Sequence, residues 1–168
     1  MVAMATTSAP RLAHPYRDTA VIDAHAPRAN QTVVALVTIA ALVTGWWWLA
    51  ALMGAQLLIG LVFGRRFCLP CLMYFELIQP RIGEGPLEDS RPPRFANIIG
   101  ASVLLSATAL FALGVDIAGW ALVGLVAALA SLSAITGFCA GCWMYRSING
   151  ECEICDVPGA PRAVAGDG

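Results

Sequence analysis

Hydrophobic and polar positions along this chain do not alternate at the period of a surface helix or a half-buried strand; they fall into long blocks. From Ala29 to Gly64 no charged residue interrupts 36 positions, and from Phe95 to Cys142 the only one is Asp116. A helix rising about 1.5 Å per residue needs roughly 20 apolar residues to cross a hydrocarbon core about 30 Å thick, so blocks of this length predict membrane spans. The second block holds two spans, near 96–114 and 119–138, with Gly114, Asp116 and Gly119 in the turn between them. The first block is short for two. Divided at Thr44-Gly45 it yields 29–45 and 46–64, each close to the lower limit of about 17 residues for a span.

That division rests on an internal repeat. "APRANQ" at 26–31 precedes the first block and "PPRFAN" at 92–97 opens the second; the first ends in "FCLPCLMY" (67–74) and the second in "FCAGCWMY" (138–145). Arg28 to Cys68 is 40 residues and Arg94 to Cys139 is 45, the excess fitting a longer turn around Asp116. Trp46, Trp47 and Trp48 beside Gly45 match Trp120 beside Gly119, and tryptophan favours the membrane–water interface. The predicted fold class is all-α integral membrane: four transmembrane helices arranged as two hairpins repeated in parallel, each followed by a CxxC pair. Residues 1–28 are expected as a flexible cytoplasmic tail and 29–147 as the membrane domain. Residues 148–168 are expected as a cytoplasmic tail carrying a third CxxC.

Composition supports the class. The 168 residues, enough for one domain, are 58% hydrophobic and 12% charged, against about 25% charged in soluble domains, and mean hydropathy is +0.72. The first 28 residues mix Pro, Arg, His and Asp without an apolar core, unlike a secretory signal peptide. Placement of charge adds an orientation. Arg11, Arg17 and Arg28 precede the first block, Arg65, Arg66, Arg81, Arg91 and Arg94 lie between the blocks, and the hairpin tips carry no arginine. By the positive-inside rule both termini and the central connection face the cytoplasm, in the inner membrane, and the repeat axis runs along the membrane normal. Basic residues interleaved with aromatics are missing, so nucleic acid is not an expected partner; the lipid bilayer is.

The chemistry lies in six cysteines forming three pairs: Cys68/Cys71, Cys139/Cys142 and Cys152/Cys155. A reducing cytoplasm disfavours static disulfides, leaving thiol chemistry or metal binding. On the thiol reading, Pro70 suits the first turn of a helix through "CLMYFELI", which places Cys68 at its positive end beside Arg65 and Arg66, where a thiolate is favoured. Cys68 is then the attacking thiol and Cys71, one turn in and more shielded, the resolving one. Cys139 and Cys142 take the same roles in the second half, with Arg146 nearby. On the metal reading, zinc or an iron–sulfur cluster would be held by Cys68, Cys71, Cys139 and Cys142, or by Cys139, Cys142, Cys152 and Cys155. The acidic flanks Glu151, Glu153 and Asp156 make the third pair less suited to nucleophilic work. A scaffold without chemistry is the remaining reading. Asp23 and His25 in "IDAHAPR" read as a polar approach to the first helix, and Tyr74 and Tyr145 as matched interfacial anchors. Glu76 reads as a solvated residue on an amphipathic stretch at the interface.

At these residues the chain resembles a bacterial membrane-protein family catalogued as domain of unknown function 4395 (DUF4395). The resemblance covers about residues 21 to 147 and rests on "GRRFCLPC", "RPPRFAN" and "TGFCAGC". It implies a small four-span protein associated with thioredoxin-like proteins and sulfurtransferases, hence thiol or sulfane-sulfur (persulfide) handling at the membrane. The family's motifs map to Cys68, Cys71, Cys139 and Cys142; Cys152/Cys155 departs from the pattern. The expected function is a thiol–disulfide or persulfide relay at the cytoplasmic face, exchanging with a thioredoxin-like or rhodanese-like partner. The expected enzyme class, if any, is a thiol–disulfide oxidoreductase.

Overall fold

The computed structural model describes His14 and residues 16–149. In chain order these form β1 (Val21–Asp23), α1 (His25–Thr44), α2 (Trp47–Phe63), a 3₁₀ turn (Arg65–Phe67), α3 (Leu69–Met73), a π-helical turn (Tyr74–Ile78), α4 (Gln79–Ile82), β2 (Leu87–Asp89), α5 (Arg91–Ala112), α6 (Asp116–Thr136) and α7 (Ala140–Asn149). α1 and α2 form one hairpin, α5 and α6 another. The hairpins pack as a ring, α1 against α2 and α6, α5 against α2 and α6. Three of these helices, α1, α5 and α6, are long and apolar enough to cross a membrane; α2 is equally apolar but has 17 residues.

The hairpin turns fall where glycine permits a left-handed backbone: Gly45 after α1 has φ 70° and Gly114 after α5 has φ 76°. The second turn is shorter than expected. Asp116 is the first residue of α6 rather than a turn residue, where its charge suits the positive helix end, and Gly119 lies inside that helix. There Gly119 makes room for Phe111, whose ring joins Trp47 (centroids 6.1 Å) to Trp120 (4.9 Å) and so ties the two tips together.

Both hairpins begin earlier than hydrophobicity alone indicates. α1 starts at His25, not near 29, because the Asp23 carboxylate accepts the His25 N–H at 2.9 Å; α5 starts at Arg91, not near 96, because Asp89 accepts the Arg91 N–H at 2.8 Å. Pro92 and Pro93 fit the first turn of α5, where amide protons have no intrahelical acceptor. Residues 16–28 are therefore ordered structure, not a tail. β1 pairs antiparallel with β2, Val21 with Asp89, Ile22 with Glu88 and Asp23 with Leu87. Residues 1–13 and 15 of the expected tail lie outside the described residues, as do 150–168.

The bundle interior is built of small side chains. Ala41, Ala50 and Ala107 have no exposed surface, and a Cβ on Gly54 of α2 would stand 3.1 Å from the Cβ of Leu104 on α5. Close helix approach through small residues is how helices associate where lipid removes any hydrophobic drive between them. Large apolar side chains point outward instead: Leu36, Leu52, Val62 and Ile135 among others are exposed. Such a continuous apolar outer face suits lipid, not water.

The connection from Gly64 to Ser90 is compact and lies at the end of the bundle where α1 and α5 begin and α2 and α6 finish. Its π turn has a local cause. Pro80 has no N–H and its ring would collide with the carbonyl four residues back, so the preceding turn widens and the Gln79 N–H reaches back to the Tyr74 carbonyl.

Candidate functional site

Both cysteine pairs sit at this same end, and the first cysteine of each occupies the same kind of position. Cys68 is the N-cap of α3, its carbonyl accepting the Leu72 N–H at 2.9 Å; Cys139 stands just before α7, its carbonyl accepting the Trp143 N–H at 2.9 Å. Each second cysteine lies one turn in. α3 rests on α1 and α7 on α5, so each pair is carried against the first helix of its own hairpin. Glycines allow the approach: a Cβ on Gly60 would stand 3.1 Å from the Cβ of Cys68, and one on Gly141 would stand 2.7 Å from the Cβ of Ala96.

The two pairs differ in state. Cys68 and Cys71 are joined in a disulfide, whereas Cys139 and Cys142 are free thiols, both half-buried. The Cys139 sulfur accepts a hydrogen bond from the Cys142 thiol, which outweighs the effect of burial and, with the backbone N–H groups of Cys142 and Gly141 and the Ser133 hydroxyl, lowers its pKa to about 6. Donors converging on a sulfur at a helix N-terminus are what a thiolate requires.

The first pair departs from expectation. Cys68, not Cys71, is the shielded residue: it is 7% exposed and packed on α2, while Cys71 is half-buried. The neighbouring arginines are engaged elsewhere. The Arg65 guanidinium donates to the carbonyls of Asp18 (3.3 Å) and Thr19 (2.9 Å), and Arg66 lies 5.7 Å from the centre of the Tyr16 ring. Burial lowers the Arg65 pKa.

A carboxylate that hydrophobicity could not rank organises this end. Asp23 is 2% exposed. Its Oδ2 accepts from the Tyr74 hydroxyl (2.8 Å), the Gln79 amide (3.1 Å) and the Gly85 N–H (3.1 Å); its Oδ1 accepts from the His25 N–H and lies 3.2 Å from His25 Nδ1. Burial alone would push the Asp23 pKa up, but the donors from His25, Gly85, Tyr74 and Gln79 together lower it. Burial, and then the facing Asp23 carboxylate, raise that of Tyr74. Tyr74 is thus a buried anchor for the Cys71 helix rather than an interfacial one, and it packs with Phe75 and Ala26 in a small second core. Tyr145, at the matching position, lies tilted against Phe95, ring centroids 5.5 Å apart. Glu76 is exposed and accepts the Tyr16 hydroxyl at 2.9 Å. The sequence signal for Asp23 is its place between two apolar residues and a proline-marked helix start.

Among the described residues no three Cys, His, Asp or Glu side chains converge as a metal site, so Cys68, Cys71, Cys139 and Cys142 are not brought together as one ligand set. The other set requires Cys152 and Cys155, which lie outside the described residues. Beside Cys139 a cavity of about 130 Å³, open on one side, runs between α1, α2, α5, α6 and the start of α7.

A family model described as domain of unknown function (DUF4395) matches residues 22–149. No curated protein and no solved structure matches the chain.

Proposed function

We propose, from the premise that this chain belongs to the family of the domain of unknown function 4395, that it is a membrane thiol–disulfide or persulfide relay working through Cys139/Cys142 and Cys68/Cys71. The observation that carries the reading is the common placement of the two motifs. In each, the first cysteine stands at a helix N-terminus and the second lies one turn in, and one motif is closed as a disulfide while the other is an open dithiol. The chain crosses the inner membrane four times, α2 included. The short α2 crosses because a 17-residue helix sits at the lower limit for a span, where flanking residues and bilayer thinning absorb the mismatch. Both cysteine pairs face the cytoplasm, the side of the arginine-rich connection.

The strand pair supports the repeat. Asp23 and Asp89 each end a strand and accept the first N–H of the helix that follows, and the register pairs Val21 with Asp89 and Asp23 with Leu87. A two-fold axis through Ile22 and Glu88 along the membrane normal interchanges the halves.

Exchange on the open pair runs as follows. The Cys139 thiolate attacks a partner disulfide, forming one S–S bond and releasing one partner thiolate; the Cys142 thiolate then attacks Cys139, closing the pair and releasing the second. Two electrons pass to the partner and the two cysteine protons go to solvent or to the partner thiolates. On the closed pair a partner thiolate attacks the more accessible Cys71, and Cys68 leaves.

The test is Cys142→Ser, which removes the resolving thiol. Challenged with an oxidised thioredoxin-like protein, it should hold a mixed disulfide on Cys139 that reductant releases and that Cys139→Ser abolishes. A metal centre predicts instead that Cys142→Ser lowers bound zinc or iron and traps nothing. No adduct together with unchanged metal content would leave a scaffold.

A further inference from the structure

The cavity beside Cys139 is unlike a packing defect. Its walls are graded. Cys139, Ser133, Asn97 and Gln31 stand at one end, while Val34, Leu57, Val103, Val126 and Leu129 line the rest. From Ser133 to Leu125 on α6 it extends eight residues of helix, about 12 Å at 1.5 Å per residue. Two of its wall residues, Leu125 and Leu129, are 50% and 44% exposed on the outer face of α6, so the cavity reaches the surface that lipid would cover. Small-residue packing elsewhere in the bundle closes such space, but here α5 presents Gly100, and a Cβ placed on it would meet only Leu57 Cδ1, at 3.7 Å. Helix contact therefore does not explain this glycine; it leaves room.

We infer that this cavity seats a small apolar molecule, the size of one six-membered ring, that enters from the lipid and presents its polar end to Cys139. The volume of about 130 Å³ is close to the roughly 150 Å³ of an apolar protein cavity that stays dry and takes up benzene. An apolar body with one polar group matches the grading of the wall, as small-molecule sites generally pair apolar lining with a few placed polar groups. The inference rests on the relay reading in one respect, that Cys139 is the sulfur the guest meets.

Two probes on the full chain in phosphatidylcholine–phosphatidylglycerol vesicles test it. N-phenylmaleimide and a sulfonated maleimide are compared for alkylation of Cys139, each rate divided by that reagent's rate with a free small thiol. The phenyl reagent should be preferred, and Gly100→Leu, which fills the cavity without crowding backbone, should reduce that preference about ten-fold, equivalent to about 1.4 kcal/mol, leaving the sulfonated rate unchanged. Equal preference in Gly100→Leu overturns the inference. Phenyldiazirine photolabelling needs no thiol. It should mark Leu57 and Val126, which are buried, in the native chain and in Cys139→Ala but not in Gly100→Leu, with exposed Leu52 marked in all three. Label confined to outward leucines overturns the inference, and so does equal marking of Leu57 by a diazirine carried on a phospholipid chain, which assigns the space to bilayer lipid. If Cys139 resists both maleimides while Leu57 is labelled, the relay reading fails and the cavity site stands.

Discussion

At the scale of single residues, two groups with opposite legibility set the chemistry. The cysteines were plain from spacing and flanks, but their ranking was not. Arg65 and Arg66 precede Cys68 and pointed to it as the acidic thiol, yet both arginines are turned to Asp18, Thr19 and Tyr16, and the donors gather on Cys139 instead. The main donors to Cys139, Cys142 and Gly141, are close in sequence, but how each sulfur is packed depends on another helix, α6 through Ser133 for Cys139 and α2 through Gly60 for Cys68, and spacing does not encode that. Cys139 should therefore alkylate with a midpoint near pH 6. Cys142→Ala, removing the largest donor, should raise it toward the ordinary cysteine value of about 8.5, and Ser133→Ala should raise it less. An unchanged midpoint in Cys142→Ala would remove the capping account. Asp23 was read as a polar approach to α1 and is in fact the hub of the cysteine end. Asp23→Asn places amide hydrogens against existing donors and should cost about 2–3 kcal/mol, read as a lower thermal midpoint in vesicles. Because the folded Asp23 pKa is lowered, its stabilisation is complete above the unfolded carboxylate value of about 3.9 and is lost as pH falls through the lower folded value. The gap between native chain and Asp23→Asn should thus stay constant from neutral pH to about 4 and close below it; a gap that closes well above pH 4 would overturn this account of Asp23.

At the scale of elements, the blocks of apolar residues located all four long helices, because lipid-facing helices carry no polar stripe that could confuse the reading. The starts of α1 and α5 were missed by about four or five residues, since Asp23 and Asp89 accept the first helical N–H from strands too short for any periodic signal. The π turn was illegible for a similar reason: it depends on one proline reshaping the turn before it. The clearest element-level dependence is that of Cys139 on the seating of α7. Gly141 lets α7 lie on α5, and a Cβ there would stand 2.7 Å from Ala96 Cβ and 2.8 Å from its Cα. Gly141→Val should lift α7, draw the Gly141 and Cys142 amides away from the Cys139 sulfur, and raise its alkylation midpoint by about one unit. Gly124→Val is the matched control, because nothing lies within 4 Å of a Cβ at Gly124. If both variants leave the midpoint where it was, the amides of α7 do not hold the thiolate.

For the whole molecule, arginine placement is the ground for the proposed cytoplasmic orientation of the connection between the hairpins. The fold gathers at that end of the bundle α3, α4, α7, the strand pair and both cysteine pairs. Among the described residues the opposite end carries the two glycine turns, the stacked Trp46 and Trp48, and the aromatic bridge through Trp47, Phe111 and Trp120. The long helices were legible because apolar blocks are local, whereas the cavity and the Asp23 hub depend on how hairpins meet. An ordering of labels follows. In a chain whose six native cysteines are serines, Thr44→Cys and Val115→Cys, at the two tips, should react with a sulfonated maleimide added to intact cells and be silent in inverted vesicles. Cys139, restored alone, should do the reverse. The two tips are the informative pair, because α2 is the one long helix of marginal length. If α2 fails to cross, Thr44 and Val115 end on opposite sides of the membrane and label under opposite conditions. The two-fold relation between the hairpins would fall with that result, while the two cysteine pairs, separated by the two spans α5 and α6, would still share one face of the membrane.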